Sequence, residues 1–289
     1  MKSVLLATSA DWPDLFQDDR PLRDALLARG LDARAAVWDD PGVDWAAADL
    51  IVLRSIWDYT RHRDRFVAWT HEAAGATPMH NPAEIVEWNS HKLYLRDLER
   101  EGVRIVPTVW ARGGASIDVA GIARERGWVE MVVKPCVSAG ARDAVRGTVE
   151  DVQTQADELL AAGRDLMMQP YLPEVEGDGE HSLVLLGGEL SHVMRKEPAL
   201  AARVAWTSST VRQVEPHPDE LRLAEQLVEI VGPLLYARVD CVVLDERAHL
   251  MELELIEPQL FLREGPPEAT DRLADLIGKL ASRSDGITV

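Results

Sequence analysis

Three carboxylates stand close together in two apolar segments near the end of the chain. Asp240 lies in the first segment, and Glu252 and Glu254 lie two residues apart in the second. In a hairpin centred near Glu246, Asp240 would face Glu252, whereas a turn near Arg247 would pair it with Glu254. Either register predicts three carboxylates on one sheet face, where repulsion favours a bound divalent cation such as Mg²⁺. The alternative is a solvated outer face of the hairpin.

A lysine and a loop of small residues form a second group with possible anion chemistry. Lys134 closes the apolar strand 131–134 and can reach an anion as a point charge. The loop 138–142 that follows can bring backbone N–H groups close to phosphate oxygens, although an ordinary surface loop also fits. Neither a Walker A loop nor a G-x-G-x-x-G motif is present in the sequence. Four further basic residues are candidates: Lys92, Arg195, Lys196 and Arg238.

The elements that must position these residues begin with an alternation of strands and helices. Strands are predicted at 4–7 and 50–53 and helices at 21–29 and 63–74, which indicates a parallel sheet covered by helices. Arg54, Ser55 and Asp58 follow the second strand, where such sheets bind ligands, and Arg54 is suited to a substrate carboxylate. The alternative is that the aromatic residues of this segment anchor a loop.

The rest of the chain predicts a small α+β unit followed by two hairpins. The predicted strands of the unit are 103–110, 131–134 and 166–169, with helices near 117–125 and 150–162 and a loop at 135–147. Gly187-Gly188 predicts a tight hairpin between 182–186 and 189–196. A second hairpin joins 236–244 to 249–256, with Met251, Leu253 and Leu255 facing the core.

Composition narrows the classes of function. The net charge of −18 argues against binding nucleic acid over a broad surface. The two cysteines do not form a C-x-x-C pair, which argues against a zinc site or a disulfide framework. No run approaches the ~20 apolar residues that cross a bilayer. Asp11 interrupts the N-terminal apolar run, which predicts a strand and no signal peptide. We therefore expect a cytoplasmic protein that binds neither nucleic acid nor membrane.

In this order the segments resemble the ATP-grasp superfamily, which includes glutathione synthetase and D-alanine–D-alanine ligase. The resemblance covers about residues 82–262, and Glu252-x-Glu254-x-x-x-Pro258 is similar to the family's E-x-N-x-x-x-P strand, with Glu254 in the position of Asn. It implies an α/β (α+β) ATP-grasp fold with an N-terminal Rossmann-like domain. The implied units are a substrate domain at 1–87, a small subdomain with the lid at 88–172, and a C-terminal subdomain with the metal hairpin at 173–289.

The same resemblance implies ATP and Mg²⁺ as cofactors and assigns roles to individual residues. Asp240, Glu252 and Glu254 would hold the metal, while Arg195, Lys134 and Arg238 would act in catalysis. The implied nucleotide-binding residues are Lys92, Lys134, Ser138, Gly140, Gln169, Pro170, Tyr171, Leu172, Glu180 and Arg195. Arg54, Ser55 and Asp58 would contact the substrate.

The implied reaction is ADP-forming ligation of a carboxylate to an amine through an acyl phosphate. Motifs at 54–59, 133–142 and 252–258 resemble a bacterial subgroup that includes the cyclo-ligase closing O-ureido-D-serine into D-cycloserine. The expected partner is a small amino-acid-like substrate, and a homodimer is implied by the resemblance alone. The alternatives are a ligase joining two separate substrates, a kinase-like enzyme, and a non-catalytic nucleotide-binding module.

Overall fold

The N-terminal part of the chain forms a parallel sheet with helices packed against it. The computed structural model describes residues 1–140, 142–177, 179–196 and 211–283, so position 141 of the predicted loop lies outside the described residues. The sheet order is β2-β1-β3-β4, and each neighbouring pair is parallel, as predicted. Its strands are β1 (Ser3–Thr8), β2 (Asp32–Val37), β3 (Leu50–Leu53) and β4 (Met79–His80).

Four helices and two short 3₁₀ turns, the first at Trp45–Ala47, lie within residues 9–108. Pro21 lies in the first turn of the first helix, where its missing N–H costs no intrahelical hydrogen bond. The turn Trp57–Arg61 directly follows the segment after β3. The helices are α1 (Arg20–Ala28), α2 (Arg63–Ala76), α3 (Ala83–Asn89) and α4 (Tyr94–Arg100).

A second, antiparallel sheet of order β5-β8-β6-β7 follows. The predicted strand 103–110 is wrong over most of its length, because only its end pairs with a neighbour. Pro107 lacks the N–H that a sheet ladder requires, and before it Ile105 makes a single bridge to Leu250. The predicted loop 135–147 ends in a short strand. The elements are β5 (Val109–Ala111), α5 (Val119–Arg126), β6 (Met131–Pro135), β7 (Val145–Gly147), α6 (Val149–Ala161) and β8 (Leu166–Pro170).

The third sheet has the order β11-β10-β9-β12-β13 and contains both predicted hairpins. Gly187 and Gly188 both have positive φ in the first hairpin turn, which matches the turn type that this dipeptide favours. The elements are α7 (Glu174–Gly177), β9 (Glu180–Leu186), β10 (Glu189–Lys196), β11 (Val211–Gln213), α8 (Pro218–Val231), β12 (Tyr236–Leu244), β13 (Arg247–Glu254) and α9 (Pro267–Arg283).

The first and third sheets share one hydrophobic core. Val4 and Leu6 of β1 belong to the same buried cluster as Tyr236 of β12 and Leu273 of α9. Asn81 reinforces this contact, since its amide donates to the carbonyls of Tyr236 and Leu255. In the described part of the chain, no helix is long and apolar enough to span a membrane.

Candidate functional site

A cavity of about 280 Å³ lies between the second and third sheets. The apolar side chains of Val106, Val132, Leu172, Val175 and Met251 line part of it. Another part is lined by Trp57, Tyr59, Gln259 and Phe261. Its charged lining residues are Lys92, Lys134, Glu180, Lys196, Arg238, Asp240, Glu252, Glu254 and Glu257. The predicted nucleotide-binding residues Ser138, Gly140, Gln169, Pro170, Tyr171 and Leu172 also line it.

A β-bulge determines which carboxylates face this cavity. Leu244 pairs with Arg247 at the turn, and this register continues as far as Cys241 with Leu250. The register then shifts by one residue, so Asp240 pairs with Glu252 and Arg238 with Glu254. Since side chains alternate along a strand, the shift places all three carboxylates on one face. Met251, predicted to face the core, is only partly buried and lines the cavity, because it stands at this bulge.

Two lysines from different elements meet at Glu252. Lys92 lies between α3 and α4 and hydrogen-bonds the Glu252 carboxylate. Lys134 faces the cavity from β6, with its Nζ 3.9 Å from the other oxygen of Glu252. Although burial opposes it, Glu252 raises the pKa of Lys92, whereas burial prevails at Lys134 and lowers its pKa. The two lysines thus converge at a position where they could bind an anion such as a phosphate.

Asp240 is the most heavily hydrogen-bonded carboxylate of the site. Arg238 contacts both of its oxygens at 2.9 and 2.8 Å, and Ser182 Oγ donates to Oδ1 at 2.5 Å. Lys196 Nζ lies 2.9 Å from Oδ2. Although burial opposes it, Arg238 and Lys196 hold the pKa of Asp240 well below its ordinary value. Asp240 is therefore ionised, which is the form that ligates a metal.

The basic residue of β10 that lines the cavity is Lys196, whereas the sequence predicted Arg195. Lys196 contacts both Glu180 and Asp240. Arg195 points to the other side of the strand and donates to the carbonyl of Gly177. A shift of register between Leu190 and His192 causes this exchange, because it pairs Lys196 with Glu180 in place of Arg195.

The segment that joins the second and third sheets supplies backbone and an aromatic ring to the cavity. Gln169 pairs with Val132 across β8 and β6, and its side chain donates to Thr108 at 2.9 Å. Tyr171 stacks under the guanidinium of Arg146, 3.4 Å from the ring centroid, and its hydroxyl donates to Glu176. These contacts hold the segment in place beside the apolar part of the cavity.

The three residues predicted to contact substrate do not line the cavity. Arg54 is 1% exposed and pairs with Asp19 at 2.7 Å, and Ser55 donates to the same carboxylate. Asp58 accepts from the indole of Trp38. Their neighbours Trp57 and Tyr59 line the cavity instead. The 3₁₀ turn explains the difference, because it directs the aromatic residues inward; no sequence signal marked that choice.

The carboxylates are not preassembled as a metal cage. Among the residues described, no group of three or more His, Cys, Asp or Glu side chains is positioned to hold a metal ion. Burial, partly offset by Arg238, raises the pKa of Glu254 to about 7. Three carboxylates on one wall are nevertheless hard oxygen donors, the type that Mg²⁺ uses together with substrate phosphates. The donor set fits a metal ion whose remaining ligands come from a nucleotide.

Comparison with known proteins identifies the family. Residues 4–81 match the model described as D-cycloserine synthetase DcsG, N-terminal domain. Over 279 residues the chain is 30% identical to the cycloserine biosynthesis protein DcsG of Streptomyces lavendulae, covering 91% of this chain and 93% of the relative. The chain belongs to the DcsG family of ATP-grasp ligases. This DcsG-family ligase is also similar to the crystal structure of D-cycloserine synthetase DcsG, with a TM-score of 0.87, 28% identity, and coverage of 98% and 99%.

More distant structures share the fold of the DcsG-family ligase. A RimK domain ATP-grasp protein from Sphaerobacter thermophilus superposes with a TM-score of 0.72 at 18% identity, covering 97% of this chain and 99% of the other. The D-alanine–D-alanine ligase of Bacillus anthracis, complexed with ATP, gives 0.70 at 14% identity and 98% coverage of both chains. The predicted ATP-grasp fold and ligase class are confirmed.

Proposed function

We propose that this ligase closes a ring within one small amino-acid-like molecule of the O-ureido-D-serine type, with ATP as the energy source. The convergence of Lys92 and Lys134 at Glu252 carries the proposal, because it puts two cations beside the metal-type carboxylates within one cavity. The near full-length similarity to a cycloserine biosynthesis protein supports the substrate class.

In this proposal ATP lies with its adenine in the apolar part of the cavity, against the backbone of 169–172. The phosphates reach Lys92 and Lys134, and the Ser138–Gly140 loop lies over them. Asp240, Glu252 and Glu254 would hold Mg²⁺, which supplies charge neutralisation as the γ-phosphoryl group moves. Lys196 takes the role expected of Arg195 on the β10 strand, since it is the one that lines the cavity.

The reaction proceeds in two steps. A substrate carboxylate oxygen bonds to the γ-phosphorus, ADP leaves, and an acyl phosphate forms. A nitrogen of the same molecule then attacks the acyl carbon, inorganic phosphate leaves with the C–O bond pair, and the nitrogen gives up a proton. In O-ureido-D-serine this nitrogen carries a carbamoyl group, and water hydrolyses that N–C bond, with release of CO₂ and NH₃, to give D-cycloserine. Positioning and fixed charges supply most of the rate enhancement, as in other phosphoryl transfers.

The test is an ADP-release screen of the purified protein with Mg²⁺ and ATP. O-ureido-D-serine is compared with D-serine and D-alanine, alone and in pairs, and products are identified by mass spectrometry. Release of ADP and D-cycloserine from O-ureido-D-serine alone is expected. ADP release only with two amino acids together would indicate ligation of separate substrates, and release of a phosphorylated product alone would indicate a kinase.

Glu254→Ala tests the metal assignment. The variant should keep its fold, because Arg238 retains Asp240 as a partner, and its kcat should fall about 100-fold through lost charge stabilisation at the transferring phosphate. The measurements are kcat across a Mg²⁺ titration and the melting temperature. Normal turnover with Mg²⁺ would show that Glu254 holds no metal.

A further inference from the structure

All but one of the charged side chains described in the cavity lining form ion pairs with one another, and the exception is a carboxylate. The described lining contains four cations, namely Lys92, Lys134, Lys196 and Arg238, and five carboxylates, namely Glu180, Asp240, Glu252, Glu254 and Glu257. The lysines Lys92 and Lys134 contact Glu252. Lys196 joins Glu180 to Asp240. Arg238 joins Asp240 to Glu254.

Glu257 has no such partner. Glu257 is 7% exposed and lines the cavity. Among the described residues, its carboxylate accepts a hydrogen bond only from its own backbone N–H. A buried carboxylate without a cation is costly, because water no longer solvates it. Burial raises the pKa of Glu257 to about 8. Lys92, which is in contact with Glu252, partly offsets this rise, so Glu257 has no cation of its own in contact among the described residues.

The backbone around Glu257 is held by buried side chains from other elements. Asn81 donates to the carbonyl of Leu255, Tyr236 to that of Ile256 at 2.9 Å, and Arg54 to that of Pro258 at 2.7 Å. Because these carbonyls flank Glu257 on both sides, the carboxylate is presented in a fixed position. A pre-positioned carboxyl group binds a ligand with little ordering cost at the moment of binding, and an ammonium partner favours its ionised form.

Glu257 also differs in its surroundings from the residues proposed to bind the nucleotide. Burial raises the pKa of the Tyr59 hydroxyl and Glu257 raises it further, so the two side chains are near each other. Trp57, Tyr59 and Gln259 line the same cavity as Glu257. Residues 169–172, proposed to contact adenine, lie at the end of β8 in the second sheet. A ligand group at Glu257 would thus contact other residues than the adenine does.

We propose that Glu257 binds a protonated amine of the substrate, so that the ligase selects carboxylic acids that also carry an ammonium group. This inference rests on the proposed ligase function and adds the residue that recognises the substrate. The ammonium supplies the missing positive charge and three N–H donors, and charge-assisted hydrogen bonds are the strong ones. No covalent step is involved, so Glu257 acts in substrate selection.

The experiment compares two ligands on two proteins by isothermal titration calorimetry with ADP and Mg²⁺ present. The ligands are O-ureido-D-serine and its analogue in which hydrogen replaces the α-amino group, and the variant is Glu257→Gln. Wild-type protein should bind the amine-bearing ligand about 10- to 100-fold more tightly than the analogue. In Glu257→Gln that ratio should fall close to one, while Glu246→Gln, an exposed turn residue, should retain it.

Several outcomes would overturn the assignment. Equal binding of both ligands by wild-type protein, or an unchanged ratio in the folded Glu257→Gln variant, excludes Glu257 as the amine site. Equal weakening of both ligands by the substitution indicates a purely structural role and also overturns it. If Glu257→Gln does not fold, Glu257→Asp supplies the comparison, because a carboxylate moved back by one methylene should reduce the ratio severalfold, and an unchanged ratio there counts against the proposal.

A failure of the proposed function has a different signature. Should O-ureido-D-serine neither bind nor yield ADP, the cyclisation proposal fails, and the same comparison is made with D-serine and 3-hydroxypropanoate. A wild-type preference for D-serine that disappears in Glu257→Gln would then keep the amine site and reject only the named substrate. The absence of any preference in this pair would reject the amine site as well.

Discussion

Lys196 occupies a central position among the charged residues of the site. It contacts Glu180 on the neighbouring strand and Asp240 on the strand beyond, so one ammonium compensates one buried and one partly buried carboxylate. Although burial opposes it, Asp240 and Glu180 raise the pKa of Lys196, which keeps it charged. The adjacent Arg195 makes its hydrogen bond to the Gly177 carbonyl on the other side of the strand.

This difference predicts opposite consequences for two neighbouring substitutions. Lys196→Met should lower kcat/KM by about 100-fold or more, because a cation beside the transferring phosphate is lost. Arg195→Met should have a much smaller effect. Steady-state ADP release measures both, with melting temperatures as the folding control. A larger loss in Arg195→Met would return the catalytic role to the residue that the sequence indicated.

Some residues of the site could be predicted from the sequence and others could not, because only some combine a charged side chain with a recognisable motif. Lys134 and the carboxylates at 240, 252 and 254 stand out by side-chain type and by their places in predicted strands. Lys92 was assigned only through the resemblance to the ATP-grasp superfamily. The structure brings all five to one cavity. Glu257 stands in the same segment as Glu254 but is not a residue of its motif, and only burial and the lack of a partner reveal it. Ser182 was missed for a similar reason, since a lone serine in a strand carries no signal.

At the scale of elements, two β-bulges decide which charges face the cavity. One lies at Met251 and moves Glu252 opposite Asp240, and the other lies between Leu190 and His192 and moves Lys196 opposite Glu180. The register of a hairpin can be inferred from its turn residues and from the alternation of apolar and polar residues along its strands. A bulge shifts that register by one residue at a point that no turn residue marks. The existence of both hairpins was therefore predictable, and the identity of the inward-facing basic residue was not.

The segment after β3 connects the N-terminal sheet to the segment that follows β13. Arg54 binds Asp19 and the carbonyl of Pro258, so it links the N-terminal sheet to the segment that carries Glu257. Its guanidinium also lies over the ring of Tyr236, 4.9 Å from the centroid. Arg54 and Asp19 are both buried, so their ion pair is shielded from water, unlike an ion pair on the surface.

Arg54→Met should lower the free energy of unfolding by about 3–5 kcal/mol, because Asp19 would remain as an uncompensated buried charge. Arg61→Met, which breaks an exposed pair with Asp11, should cost less than about 1 kcal/mol. Urea denaturation measures both. A stable Arg54→Met protein with a strongly raised KM would instead support the direct substrate contact expected from the sequence.

At the scale of the whole molecule, acidity is spread unevenly between surface and interior. The net charge of −18 resides largely on exposed side chains, but Asp18 is 1% exposed and its Oδ2 has no hydrogen-bond partner. Burial and the neighbouring Asp19 raise the pKa of Asp18 to about 7. Its ordinary value in an unfolded chain is about 3.9.

This shift predicts how stability depends on pH. The folded state holds the Asp18 proton up to about pH 7, so the contribution is complete below about pH 4 and is lost as pH rises through 7. Asp18→Asn keeps the acceptor for the Arg263 N–H and removes the titration. The melting temperature of the variant relative to wild type should therefore rise between pH 5 and pH 8. Parallel curves for the two proteins would contradict the assignment.

The core shared by the first and third sheets has a consequence for how the protein unfolds. Val4, Leu6, Tyr236 and Leu273 pack together although they are far apart in sequence, and α1 and α9 are joined by the pairing of Arg29 with Asp275. An isolated N-terminal segment would expose half of that core to water. The segment matched by the family model at 4–81 therefore shares its core with the third sheet, and the two should unfold together in a single cooperative transition.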